Sequence, residues 1–203
     1  MAAVVAILLA AGESTRMGRP KPLLPWDTST LVEWQIEELR AAGAGRVIVV
    51  LGSHAEEVEP WVRRAGGEPV LNASYQTGRA SSLRAGAGPV EAAAAVLILN
   101  VDQPRPAWVS RRLIARWEET AAKLVVPGFE GRRGHPVLAD GSLLADLREV
   151  DDKSLGLRAV LDRYRAETEL LPVQNSVVIV DLNTPEDYVA ALAAFNRGAW
   201  AES

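Results

Sequence analysis

Residues Val4 to Leu24, VVAILLAAGESTRMGRPKPLL, decide how the rest of the chain is read. Val4 to Leu9 is apolar and uncharged, the pattern of a strand buried on both faces of a parallel sheet. The run stops at Ala10-Ala11-Gly12, and the residues after it supply a hydroxyl, a guanidinium and an ammonium. Ala11 and Gly12 let backbone approach a ligand closely, and Gly18 gives the loop freedom to close. Ser14, Arg16 and Lys21 then surround an anion with donors. Arg16 grips phosphate as a two-pronged fork, whereas Lys21 acts as a movable point charge. A plain strand-to-helix turn with solvated basic residues has the same outline. Three anion-binding side chains so soon after a buried strand favour a phosphate site.

The ordered string Leu9-Ala10-Ala11-Gly12-x-Ser14-x-Arg16-Met17-Gly18-x-x-Lys21-x-Leu23-Leu24 resembles the signature loop of nucleotidyltransferases of the nucleotide-diphosphosugar-transferase fold. Within them it resembles the molybdenum-cofactor cytidylyltransferases and their guanylyltransferase relatives. The resemblance implies a Rossmann-like, doubly wound, mostly parallel sheet with helices on both faces. It also implies that Leu9, Ala10, Ala11, Gly12, Ser14, Arg16 and Lys21 wrap the triphosphate of an incoming NTP, with Arg16 and Lys21 catalytic.

Composition agrees with such a protein and narrows the partners. The chain has 203 residues, 48% of them hydrophobic and 24% charged, which suits one α/β domain with a sizeable core. On this reading an NTP-binding half covers about residues 1–105 and an acceptor-binding half about 106–197. A net charge of −4 argues against non-specific nucleic-acid binding. The absence of cysteine removes disulfides, thiolate nucleophiles and Cys-ligated metals, and fits a cytoplasmic location. The first apolar run is too short to span a membrane and lacks a basic flank, so neither signal peptide nor membrane anchor is expected.

Outward from the loop, Thr30-x-x-Glu33 has the form of a capping box before a helix over Leu31 to Arg40. Val47 to Leu51 reads as a second buried strand, Ala55 to Arg64 as a helix, and Val70-Leu71 as a short third strand. Alternating strands and helices argue for a parallel, doubly wound sheet. Asn72 to Gly88 is polar and small, with Gly78 to Ser82 opening a helix and Ser81 or Ser82 offering hydroxyls near its N-terminus. The family resemblance places Gly78, Ser81 and Ser82, and less directly Asn72, beside the nucleotide's base and sugar.

Val96 to Val101 is the central strand, and it runs into Asp102-Gln103-Pro104 ahead of a helix around Trp108 to Trp117. Ligands of open α/β sheets sit beyond the carboxyl ends of strands, so Asp102 emerges where the first loop does. A carboxylate facing a triphosphate needs a divalent cation between them, magnesium or alternatively manganese. The plainer role for Asp102 is to open the turn before Pro104. The same Asp-Gln-Pro resembles the metal-binding motif of the cofactor cytidylyltransferases, which makes Asp102 a nucleotide, metal and catalytic candidate.

Past Leu124 to Val126 the alternation breaks, and Gly128 to Leu138 reads as a hairpin or irregular crossing loop. It resembles the family's Gly-x-x-Gly-His-Pro-Val-Leu segment on the acceptor side of the cleft. Acceptor candidates are therefore Arg132, Arg133, Gly134 and His135, the histidine shaping the cleft rather than catalysing, with Arg158 added from the loop Asp151 to Arg158. That loop has Val150 where related enzymes often have glycine. Ser176 to Val180 reads as a last buried strand, putting Asp181 at a strand end as a second metal ligand. Thr184, Pro185 and Asp187 make a helix start, so Asp187 is structural. Where the family pattern has an aspartate, this chain has Asn183.

The inventory holds no nucleophile paired with a base. Nucleotidyl transfer needs none when the acceptor is a phosphate monoester, whose oxygen is already largely deprotonated near neutral pH. It needs alignment, and neutralisation of charge as pyrophosphate leaves. The resemblance implies CTP plus the phosphate of molybdopterin, giving the cytosine dinucleotide cofactor, with a molybdoenzyme or its chaperone as a protein partner. Three alternatives stand beside it: a guanylyltransferase on the same cofactor, a sugar- or alditol-phosphate nucleotidyltransferase, and a non-enzymatic nucleotide-binding module. Ala11, where guanylyltransferases more commonly have glycine, favours CTP.

Overall fold

The reason residues 4–10 form a buried strand is visible in where their side chains go. In a computed structural model that describes residues 3–151 and 156–202, β1 (Val4–Ala10) sends Ala6, Leu8 and Ala10 into one core and Val5 and Ile7 into another. Successive side chains of a strand point to opposite faces, so a strand between two cores must be apolar throughout. The chain then makes a tiny ribbon, β2 (Pro25–Trp26) and β3 (Ser29–Thr30), before α1 (Leu31–Ala41). The predicted capping box is present: Thr30 Oγ1 accepts from the Glu33 amide, and the Glu33 carboxylate accepts from the Thr30 amide.

Strand and helix then alternate through β4 (Ala44–Leu51), α2 (Ala55–Arg64), β5 (Glu68–Leu71), α3 (Arg79–Ala87), β6 (Ala95–Asn100) and α4 (Ala107–Thr120). The second part holds β7 (Leu124–Phe129), β8 (Arg132–Arg133), β9 (Val137–Asp140), α5 (Leu144–Glu149), α6 (Leu157–Arg163), β10 (Thr168–Pro172) and α7 (Pro185–Asn196). Among the described residues the main sheet runs in the order β10-β7-β9-β6-β1-β4-β5, with β8 hooked onto β7. The pairs β1–β4, β1–β6, β4–β5 and β7–β10 are parallel. β9 is antiparallel to both β6 and β7.

Helices cover both faces of this mostly parallel sheet, as expected, and two local readings need correction. The predicted hairpin or crossing loop continues into β9, a strand inserted between β6 and β7. Val137-Leu138 is too short an apolar run to announce a central strand without knowing its neighbours. The expected last strand at Ser176 to Val180 is instead a 3-10 turn over Ser176–Ile179. Val177 and Val178 are buried as predicted and Ile179 and Val180 half-buried, but the backbone polar atoms have other partners. The Val177 amide donates to Asn175 Oδ1 at 3.0 Å, and the Val178 carbonyl accepts from the His135 amide at 2.9 Å and from Arg105 at 3.0 Å. A short apolar run reports burial and leaves the conformation open.

The C-terminal segment closes one face. Thr184 and Asp187 form the second capping box, at the start of α7. Trp26 then packs among Trp34, Tyr188, Phe195 and Trp200, and Trp108 Nε1 donates to the Trp200 carbonyl at 2.8 Å.

Candidate active site

The loop after β1 is shaped by its own side chains. Ser14 has a left-handed backbone (φ 55°) and Gly18 another (φ 65°), and between them lies one 3-10 turn, Thr15–Met17. Ser14 Oγ accepts from the Lys21 amide at 2.9 Å. The hydroxyl thus braces the loop's two ends and still has its own hydrogen to donate. Behind the loop Gly52 leaves no room for a side chain: a Cβ there would sit 2.5 Å from the Ala11 carbonyl oxygen.

The loop opens onto a cavity of about 290 Å³ lined by Leu9, Ala10, Ala11, Gly12, Ser14, Arg16, Lys21, Gly78, Ser82 and Asp102, all of them expected, together with Thr15, Pro22, Tyr75, Arg79, Asn100 and Val101. Lys21 Nζ lies 2.8 Å from Asp102 Oδ2, with the two side chains 12% and 25% exposed. A pair this sheltered holds its geometry better than a surface ion pair. Ser81 is the expected nucleotide residue that stands outside this lining. Its hydroxyl donates to the Gly78 and Ser74 carbonyls and accepts from Asn72 Nδ2 at 2.9 Å, and Asn72 also reaches Ser82 at 3.0 Å. Asn72 and Ser81 therefore build the turn that presents Gly78 and Ser82.

A second cavity, about 470 Å³, is lined by Leu9, Arg79, Ala80, Leu83, Ile98, Asn100, His135, Gly156, Leu157, Arg158 and Leu161. It brings together His135 and Arg158 of the acceptor set. Arg132 and Arg133 are exposed on β8 and line neither cavity. Gly134 packs against the Val178 carbonyl, where a Cβ would collide. Its role is close approach of backbone. Residues 152–155 of the loop before Arg158 lie outside the described residues.

Sequence reading passed over the residues that join these parts. Arg79 lines both cavities, and its only signal was a basic residue directly after Gly78 at a helix start. Arg105 gave none, because arginine is seldom buried. Its side chain is wholly buried, donating to the carbonyls of Pro104, His135 and Val178 and lying 4.0 Å from Asp181. Burial lowers its pKa to about 9, opposed by the Asp181 and Asp102 charges. His135 is pushed down to about 4 by burial first and the Arg105 cation second, so it is neutral at physiological pH.

Asp102 and Asp181 come from neighbouring backbone, for the Leu182 amide donates to the Asp102 carbonyl at 2.7 Å. Asp181 Oδ1 accepts from Gln103 Nε2 at 3.0 Å. Among the described residues no group of three His, Cys, Asp or Glu side chains gathers in a metal-binding cluster. Asp102 lines the first cavity, whereas Asp181 lines neither. A divalent cation held at Asp102 would need most of its ligands from substrate phosphate and water oxygens, a donor set that fits magnesium.

Comparison with known proteins gives this geometry relatives. Residues 6–168 match the family described as "MobA-like NTP transferase domain". Over 193 residues the chain is 31% identical to the nicotine blue oxidoreductase of Paenarthrobacter nicotinovorans, spanning 90% of this chain and 93% of that one. Over 200 residues it is 27% identical to the molybdenum cofactor cytidylyltransferase of Escherichia coli (strain K12), spanning 94% and 96%. The crystal structure of Rv0371C in complex with manganese, from Mycobacterium tuberculosis H37Rv, superposes with a TM-score of 0.78 at 26% identity, covering 95% of this chain and 98% of that one.

Proposed function

Since the chain belongs to the MobA-like NTP transferase family, we propose that it transfers CMP from CTP to the phosphate of molybdopterin or its molybdenum-loaded form, releasing pyrophosphate. The observation that carries this reading is the wall shared by the two cavities. Leu9, Arg79 and Asn100 line both, so a triphosphate in the first cavity and a phosphorylated acceptor in the second meet at one place. The first cavity is rich in donors suited to phosphate. The second has an apolar lining, Ala80, Leu83, Ile98, Leu157 and Leu161, with Arg158 and His135 for polar contact. That combination suits a flat ring system carrying an anion.

In this reading the acceptor's phosphate oxygen attacks the α-phosphorus of CTP. A P–O–P bond forms to the acceptor as the bond to the β-phosphate breaks, and pyrophosphate leaves. The attacking oxygen needs no base. Arg16 and Lys21 hold the phosphates and offset the charge that builds on the leaving group. Arg79, which lines both cavities, is placed to meet phosphates of both substrates. Magnesium or manganese bound by Asp102, with Asp181 beside it, would supply further charge neutralisation. The NTP then sits on residues of the 1–105 half, while the acceptor cavity is shared: α3, β6 and Leu9 supply one wall, and His135 with Gly156, Leu157, Arg158 and Leu161 of the 106–197 half supply the other.

Pyrophosphate release with each of CTP, GTP, ATP and UTP, with and without purified molybdopterin, tests this. Release should need CTP, molybdopterin and a divalent cation together, and stop with chelator. Equal or better use of GTP would replace cytidylyl with guanylyl transfer. The relative that bears the name nicotine blue oxidoreductase favours a second reading, oxidoreduction of a small substrate on the same frame. Turnover of nicotine blue with no pyrophosphate from any NTP would select it.

A further inference from the structure

We propose that Gln103 is a positioning residue whose amide locks His135 as the Nε2–H tautomer, so that the ring offers the second cavity a neutral hydrogen-bond donor. The use of that donor, to hold an oxygen of the acceptor, rests on the function proposed above. The lock itself does not.

A glutamine amide has two acceptor positions on its oxygen and two hydrogens on its nitrogen. Which end is which must be deduced from its partners, and here they leave no freedom. Oε1 faces the Asn100 amide at 3.2 Å and Asn100 Nδ2 at 3.0 Å. A backbone N–H only donates, so the oxygen belongs there. At the other end Nε2 lies 3.0 Å from Asp181 Oδ1 and 3.0 Å from His135 Nδ1. Turning the amide round would set its oxygen against a carboxylate and its nitrogen against a backbone N–H. Two independent partners thus fix the same orientation.

The second hydrogen on Nε2 then points to His135 Nδ1, which must carry a lone pair. A protonated ring would press two N–H groups together, so the same geometry selects the neutral form. A neutral imidazole has one N–H, and it falls on Nε2. That nitrogen has no partner among the described residues, and the ring lines the second cavity. Asp181 therefore acts through Gln103: it takes one amide hydrogen and so steers the other toward the histidine. His135 serves as a donor and not as a base.

The chain has two histidines, His54 and His135, so imidazole ¹⁵N spectra of the full-length protein need only the His54→Gln variant for assignment. At neutral pH, His135 should show protonated Nε2 and bare Nδ1. Protonated Nδ1 in the unmodified protein would overturn the lock with no Gln103 variant needed. Gln103→Leu should leave a mixture of tautomers, and Gln103→Glu, which sets an acceptor against Nδ1, should favour Nδ1–H. An unchanged Nε2–H population in a folded Gln103→Leu protein would also overturn it. With CTP and molybdopterin, Gln103→Leu should raise KM for molybdopterin on the order of tenfold, the effect of one hydrogen bond, and leave KM for CTP unchanged. An unchanged molybdopterin KM would remove the positioning role. A lock seen in a protein that transfers no nucleotide would uphold the tautomer and retire the proposed reaction.

Discussion

The two cavities are made by different rules. The first takes two of its three cations, Arg16 and Lys21, and its backbone curvature from one contiguous loop, residues 9–22, with α3, which adds Arg79, and the end of β6 as further walls. The second is gathered from the end of β1, the consecutive elements α3 and β6, the segment at His135 and α6, four stretches far apart in sequence. A loop that carries its own donors keeps its chemistry wherever the fold places it. A cavity assembled from distant segments depends on whatever clamps those segments together. Substitutions on the two sides should therefore fail differently.

The largest effect is expected at Asp102, in the wall of the first cavity. Asp102→Asn removes the charge with almost no change of shape and should lower kcat about a thousandfold, with thermal unfolding unaltered. Turnover near that of the unmodified protein would remove Asp102 from the reaction. Lys21→Ala should cost about a hundredfold in turnover. Because Lys21 and Asp102 form one ion pair, the double variant should fall well short of the product of the two losses. Multiplicative losses, measured in steady-state assays, would mean the pair does not act as a unit.

On the acceptor side, Arg158→Ala should raise KM for the phosphorylated acceptor about tenfold while KM for CTP stays put. A matching rise for CTP would merge the two cavities into one site. The smallest effect belongs to the pair Arg132→Ala and Arg133→Ala, which should keep both constants within about twofold, since exposed charges outside a site contribute little. A loss of acceptor affinity larger than this would extend the second cavity out to β8.

What could be read in advance follows the same division. Val4 to Lys21 was legible because its pattern is local: a buried strand, a stop, then cations at short range. Asp102 was legible because the end of a central strand is a place as well as a residue. Arg79, Gln103 and Arg105 act through partners 30 or more residues distant or across two cavities, and nothing near them in sequence announces that. β9 hid for a similar reason, since a strand's direction is set by its neighbours. Ser176 to Val180 advertised its burial and concealed its shape.

The buried Arg105 bears on how such a protein can be re-engineered. One guanidinium ties the carbonyls of Pro104, His135 and Val178, so the stretch that brings His135 to the second cavity is cross-braced to two others by a single side chain. Grafting only the 128–138 segment from a relative with another acceptor would risk stranding carbonyls without a donor, each at about 1–3 kcal/mol. Chimaeras that move this arginine together with all three stretches should survive; those that cut between them should not. The three stretches are a unit to be transplanted as one block.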